Sequence, residues 1–210
     1  MRSASDAVRI VMSDQPSDIL ELRLDYLESL DSSILRHLME KRNKLILTVR
    51  EPSEGGRNRF TDANRLQFFT TAREMGFMTD IEAKFLVKYG ALNSYIASFH
   101  KMEGILNRKE IEYPISSLSG RYTYFKIAAP ATRENRLALI ELVQTYGNVA
   151  AMELGGEPMY RIAFSILGSK LLYCSLGERT AEGQMDCKDA RDIITKIWVN
   201  YDHSGGKPIP

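Results

Sequence analysis

Short apolar runs alternate with amphipathic segments along the chain, the rhythm of βα units joined into a mainly parallel sheet. Runs rich in β-branched or apolar residues predict strands at Val8–Met12, Ile19–Leu24, Leu45–Val49, Thr79–Ala83, Ser94–Phe99, Tyr122–Ala128, Asn148–Met152 and Leu171–Ser175. Apolar spacing of three and four residues predicts helices at Asp31–Arg42, Asp62–Met75, Lys101–Lys109, Arg133–Tyr146, Met159–Ile166 and Asp186–Tyr201. In the fourth of these, Leu137, Ile140, Leu142 and Val143 form the expected buried stripe. Eight strands, helices after most of them and no Pro/Gly/Ser-rich linker predict an α/β fold of one domain. The expected form is a single (β/α)8 TIM barrel over residues 1–202 with a polar tail at 203–210.

Strand alternation assigns sides. With Leu20, Leu22 and Leu24 against the helices, Glu21, Arg23 and Asp25 fall on the inner face. Leu47 and Val49 likewise leave Thr48 and Arg50 inside, Phe99 leaves Ser98 and His100, and Phe125 and Ile127 leave Tyr124, Lys126 and Ala128. Most of this charge lies towards the C-terminal strand ends, where such barrels carry their sites. Buried charge is tolerated only when paired, neutralised or awaiting a ligand. A structural ion-pair network accounts equally well for Asp80, Glu82 and Lys84 taken together.

Composition narrows the partners. The 210 residues carry 28 Lys and Arg against 27 Asp and Glu, a net charge of +1, which removes the broad basic field of a nucleic-acid binder. No stretch approaches the apolar length of a membrane span, and Met1–Asp6 has no signal-like core. The two cysteines lack metal-ligand spacing; Cys174, in an apolar run, reads as a small buried thiol in a reducing cytoplasm. No metal site is expected. A small molecule is the expected partner.

Lys126 stands in Tyr-Phe-Lys-Ile-Ala, where loss of water favours the neutral amine that attacks a carbonyl to form a Schiff base. A Lys paired with Glu21 or Glu82 is the plainer reading, and Lys84 is a rival amine. His100, at the end of an apolar strand, suits proton transfer near neutral pH, and Glu54 could orient it. Arg23, Arg50 and Arg161 come from separate elements and can each hold a carboxylate or a diol. The pairs Gly55–Gly56 and Gly155–Gly156 fit turns as well as a phosphate cradle. The loop Leu176–Gln184 could close over a ligand with Thr180 and Gln184 facing in.

Six segments in order, Glu-Leu-Arg-Leu-Asp at 21–25, Thr-Val-Arg at 48–50 with Glu-Gly-Gly at 54–56, Ser-Phe-His at 98–100, Phe-Lys-Ile-Ala at 125–128, the Leu-Gly-Gly stretch to Arg161, and Thr-Ala-Glu-Gly-Gln at 180–184, resemble the type I 3-dehydroquinate dehydratases. The resemblance implies a hydro-lyase of the shikimate pathway that turns 3-dehydroquinate into 3-dehydroshikimate and water without a metal or cofactor. Lys126 would form the imine, His100 would move protons and Glu54 would hold His100. Glu21, Arg23 and Arg50 would bind hydroxyls, and Arg161, Thr180 and Gln184 the carboxylate. A cytoplasmic homodimer fits, although the sequence leaves the oligomeric state open. The alternatives are an aldolase-like Schiff-base lyase and a non-catalytic binding barrel. Two positions depart from the family pattern: Lys101 follows His100 where an acid is usual, and Glu182 replaces a lid proline.

Overall fold

The computed structural model describes residues 4–13, 17–176 and 183–203. It contains α1 (Ala4–Met12), β1 (Leu20–Arg23), α2 (Ile34–Leu38), β2 (Leu45–Thr48), α3 (Asp62–Glu74), β3 (Met78–Glu82) and α4 (Ala83–Lys88). There follow β4 (Ser94–His100), α5 (Arg108–Ser117), β5 (Tyr122–Pro130), α6 (Arg133–Thr145), β6 (Val149–Leu154), α7 (Met159–Ile166) and α8 (Cys187–His203). The six strands hydrogen-bond in chain order. The first four run parallel, with Leu22 beside Leu47, Thr48 beside Asp80 and Glu82 beside Ser98. No helix among the described residues is long and apolar enough to cross a membrane.

The chain divides into two compact units, Met1–Met102 with Asn107–Lys126, and Glu103–Leu106 with Ile127–Pro210. In the first, α3 packs on β3, and α4 packs on both β3 and β4. The core there holds Leu22, Leu47, Phe68, Phe69, Phe85 and Ile96. Thr61 opens α3 by accepting from the Asn64 amide at 3.2 Å, which satisfies a helix donor that would otherwise lack a partner. In the second unit, α6 and α7 pack on β6 around Leu139, Leu142, Val149 and Ile162. Thr132 caps α6 in the same way, accepting from the Asn135 amide at 3.2 Å.

Six of the eight expected strands form. Val8–Met12 is instead the second half of α1. Ala7 and Val11, four residues apart, share a buried face, while Ile10 and Met12 stay exposed, a helical pattern in a run too short to betray its period. Leu171–Ser175 forms no strand, and only Ser175 makes an isolated bridge, to Asp186. The helix expected at Asp31–Arg42 stops at Leu38 and tightens into a 3-10 turn, Met39–Lys44. The one expected at Lys101–Lys109 begins only at Arg108, where the Asn107 side chain accepts from the Lys109 amide at 3.0 Å. Helix α4 was not expected. In α6 the buried face is Asn135, Leu139, Leu142 and Val143, leaving Leu137 exposed.

Cys174 is not a free thiol. It forms a disulfide with Cys187, at a Cα separation of 4.8 Å. This overturns the expectation of a buried reduced cysteine. The bridge reinforces backbone bonds already drawing these segments together, Ser175 N to Met185 O at 2.8 Å and Cys187 N to Ser175 O at 3.1 Å.

Candidate active site

Period-two alternation lines up the polar residues of β1 to β5 in the first unit, and they form one continuous network. Lys126, 3% exposed, places Nζ 2.5 Å from Asp80 Oδ2 and 3.4 Å from Glu21 Oε2. The lysine is therefore paired, but with Asp80 and Glu21 rather than Glu82. Thr48 donates to the other Glu21 oxygen at 2.7 Å. Arg50 lies 2.9 Å from Asp80 and 3.3 Å from Glu82, and donates to Ser98 Oγ at 2.6 Å; Ser98 in turn donates to Asp80 Oδ1 at 2.5 Å.

The electrostatics follow from this pairing. Burial disfavours a charged Asp80, but Arg50 and Lys126 outweigh it and hold the carboxyl well below the usual range. Burial also opposes the Arg50 charge, and Asp80 and Glu82 more than restore it. Glu82 is anchored from the far side by Arg65, which also donates to Val49 O at 3.0 Å and lies 4.4 Å from the Phe85 ring centroid. Arg65 escaped the sequence reading. Its signal was available: Arg65, Phe68, Phe69 and Ala72 follow the spacing of a buried helix face.

His100 and Glu54 form a second group. Glu54 Oε2 accepts from the His100 amide at 3.0 Å and lies 3.1 Å from ring Nδ1. Burial, with Arg50 and Lys126 nearby, pushes the imidazole well below its ordinary pKa against the pull of Asp80, so the ring is neutral at neutral pH. Burial and then Glu82 push Glu54 up to about 7, opposed by Arg50, Lys84 and the His100 amide. Lys84, the rival amine, is exposed rather than inward. It donates to Ser53 Oγ at 2.6 Å and lies 3.5 Å from Glu54 Oε1.

The Pro52–Glu54 turn that presents Glu54 depends on the glycines behind it. Gly55 has φ +84°, and a Cβ on Gly56 would run into the Arg50 carbonyl. The pair is thus required by the turn itself. Arg23 grips Asp25 through two bonds of 2.7 and 2.9 Å and donates to Gly55 O at 3.0 Å.

Glu21, Arg23, Arg50, Glu54, His100 and Lys126 thus all belong to the first unit. Arg161 belongs to the second, where α7 buries it. Its guanidinium donates to Gly183 O at 2.9 Å and Glu153 O at 3.2 Å. Burial lowers its pKa, with Glu153 opposing. The Glu153 carboxylate is held at 2.8 Å by Arg136, whose guanidinium stacks 3.5 Å from the Tyr160 ring centroid. Gln184 is buried just beyond Gly183. Thr180, Glu182 and positions 204–210 of the expected tail lie outside the described residues.

The fold and site define a class: an α/β protein with a parallel sheet, a buried lysine on one strand and a carboxylate-held imidazole ending the strand before it. The chain belongs to the type I 3-dehydroquinase family, whose model matches residues 2–200. It is 35% identical over 198 residues to the 3-dehydroquinate dehydratase of Sulfolobus acidocaldarius, covering 94% of this chain and 90% of that protein. The 3-dehydroquinate dehydratase of Saccharolobus solfataricus is 31% identical over 195 residues, covering 90% and 88%. Among solved structures, the 3-dehydroquinate dehydratase of Geobacillus kaustophilus shares the fold at a TM-score of 0.75 and 17% identity, covering 93% of this chain and 86% of its own. The type I enzyme of Clostridium difficile, with covalently modified comenic acid, gives 0.74 at 19% identity, covering 93% and 88%.

Proposed function

We propose that this chain is a 3-dehydroquinate dehydratase working through an imine on Lys126. The observation that carries the reading is the buried Lys126 ammonium, held by Asp80 and Glu21 on the strand next in order to the one that ends in the Glu54–His100 pair. Lys126, once deprotonated, attacks the ketone carbon, and loss of water leaves an iminium. The iminium draws electrons and acidifies the adjacent C–H. Neutral His100 takes that proton, and the electron pair collapses into an enamine. The enamine then expels the neighbouring hydroxyl, which leaves as water with the proton returned by His100. A second water hydrolyses the product imine, giving 3-dehydroshikimate and free Lys126. The net change is loss of one water, with no cofactor consumed.

In this reading Glu54 fixes the His100 ring and balances its transient positive charge. Glu21, Arg23 and Arg50 bind substrate hydroxyls, and Arg161, Thr180 and Gln184 hold the carboxylate. The fold likeness to solved dehydratases supports a barrel-like α/β fold built on the six strands described above. Intracellular proteins of hyperthermophiles keep disulfides, so the Cys174–Cys187 bridge is compatible with a cytoplasmic location. Borohydride reduction in the presence of 3-dehydroquinate tests the assignment: it should join the product to a peptide containing Lys126 as a secondary amine, adding the product's mass less one oxygen atom. Turnover without an adduct on that peptide would overturn it.

A further inference from the structure

The mechanism leaves Lys84 unused, yet the lysine touches the group on which His100 depends. It occupies the second position of α4, directly after the strand that ends at Glu82. From there its ammonium reaches across to the Pro52–Glu54 turn, donating to Ser53 Oγ at 2.6 Å and lying 3.5 Å from Glu54 Oε1. The opposite oxygen, Oε2, carries both contacts to His100. The Glu54 carboxylate is thus spanned, lysine on one oxygen and histidine on the other.

We propose that Lys84 is a positioning residue for the Glu54–His100 pair, its ammonium keeping the Glu54 carboxylate charged and turned towards the ring. The groups facing Glu54 support this. Glu82 from β3 opposes a negative charge there, and Arg50, beyond β2, favours one. Arg50 also spends its donors on Asp80, Glu82 and Ser98. His100 from β4 supplies an amide and a ring nitrogen. Lys84 supplies a full charge in direct contact with the carboxylate. The side chain of Glu54 is 8% exposed and that of Lys84 54%, so the pair lies at the boundary with solvent, where removing the lysine leaves the core intact.

The inference rests on the dehydratase reading for its catalytic meaning, but its first test does not. In the free protein, the His100 ring resonances followed by NMR against pH report protonation of Glu54. Lys84→Met should move that midpoint upward by about half a pH unit, the size expected of a half-exposed ion pair, and Lys84→Arg should bring it back. In turnover, the acidic limb of kcat/KM should shift equally, giving a rate about threefold lower at pH 6 with the loss fading towards pH 9. An unmoved midpoint, or a loss equal at every pH, overturns the proposal. Absence of a borohydride adduct in the wild-type protein instead overturns the imine reading, and the NMR midpoint still decides the role of Lys84.

Discussion

The backbone amide and the ring of His100 converge on one oxygen of Glu54, at 3.0 and 3.1 Å. That double contact fixes both where the strand ends and how the imidazole faces. Glu54→Gln should therefore keep the ring near its place but remove the negative charge behind it, lowering kcat by about 10²-fold or more. Because the ionised carboxylate is the working form and burial raises Glu54 to about 7, wild-type activity should climb as pH rises through that value. Rate profiles of both proteins check this: the climb near pH 7 should vanish in the glutamine variant.

Replacing His100 with alanine should separate imine formation from elimination. The adduct on Lys126 should still be trapped by borohydride, while kcat falls by about 10² to 10⁴. A variant retaining more than about a hundredth of wild-type turnover would exclude His100 as the proton carrier.

Asp80→Asn should cost stability as well as activity, because Arg50 and Lys126 both lose a buried counter-charge. Urea unfolding at pH 7 should show a loss of about 3–5 kcal/mol, the usual consequence of breaking a buried ion pair from one side. The two buried acids also differ in sign. Asp80, held low in the folded state, contributes stability that is present at neutral pH and disappears on acidification. Glu54, raised to about 7, contributes stability that is complete below its unfolded value of about 4.5 and lost as pH rises through 7. Unfolding at pH 5 and pH 8, with and without Glu54→Gln, resolves the second effect.

Arg161→Ala should chiefly raise KM for 3-dehydroquinate, since the proposed role is to hold the substrate carboxylate. A fall in kcat at constant KM would assign that anion to another residue.

Cys174→Ser should lower stability by about 3 kcal/mol, the entropic value for a closed loop of this size, against the sequence separation of 13 between the paired cysteines. Thermal unfolding with and without dithiothreitol is the check: reductant should shift wild type and leave the variant where it is.

Much of the first unit's network follows from strand alternation. Glu21, Arg50, Ser98, His100 and Lys126 share a face because the side-chain period is two, and the network they form obeys that rule. Asp80 and Glu82 obey it too, but alternation gives no hint that Asp80 would be the lysine's partner. That choice depends on strand register, which places Thr48 beside Asp80. Lys84 shows where the rule ends: the chain turns helical at Ala83, so the next alternate residue leaves the inner face. The disulfide was illegible for another reason. The cysteines stand at a sequence separation of 13, and only the fold brings their Cα atoms to 4.8 Å.

The bridge between Cys174 and Cys187 makes the chain behind it tolerant of a nick. A protease cutting any one bond between Ser175 and Asp186 would leave two polypeptides still joined covalently through sulfur. Such a clipped protein would migrate on a non-reducing gel as one species and separate into fragments of unequal size once the sulfurs were reduced, with α8 parting from the strands that precede it.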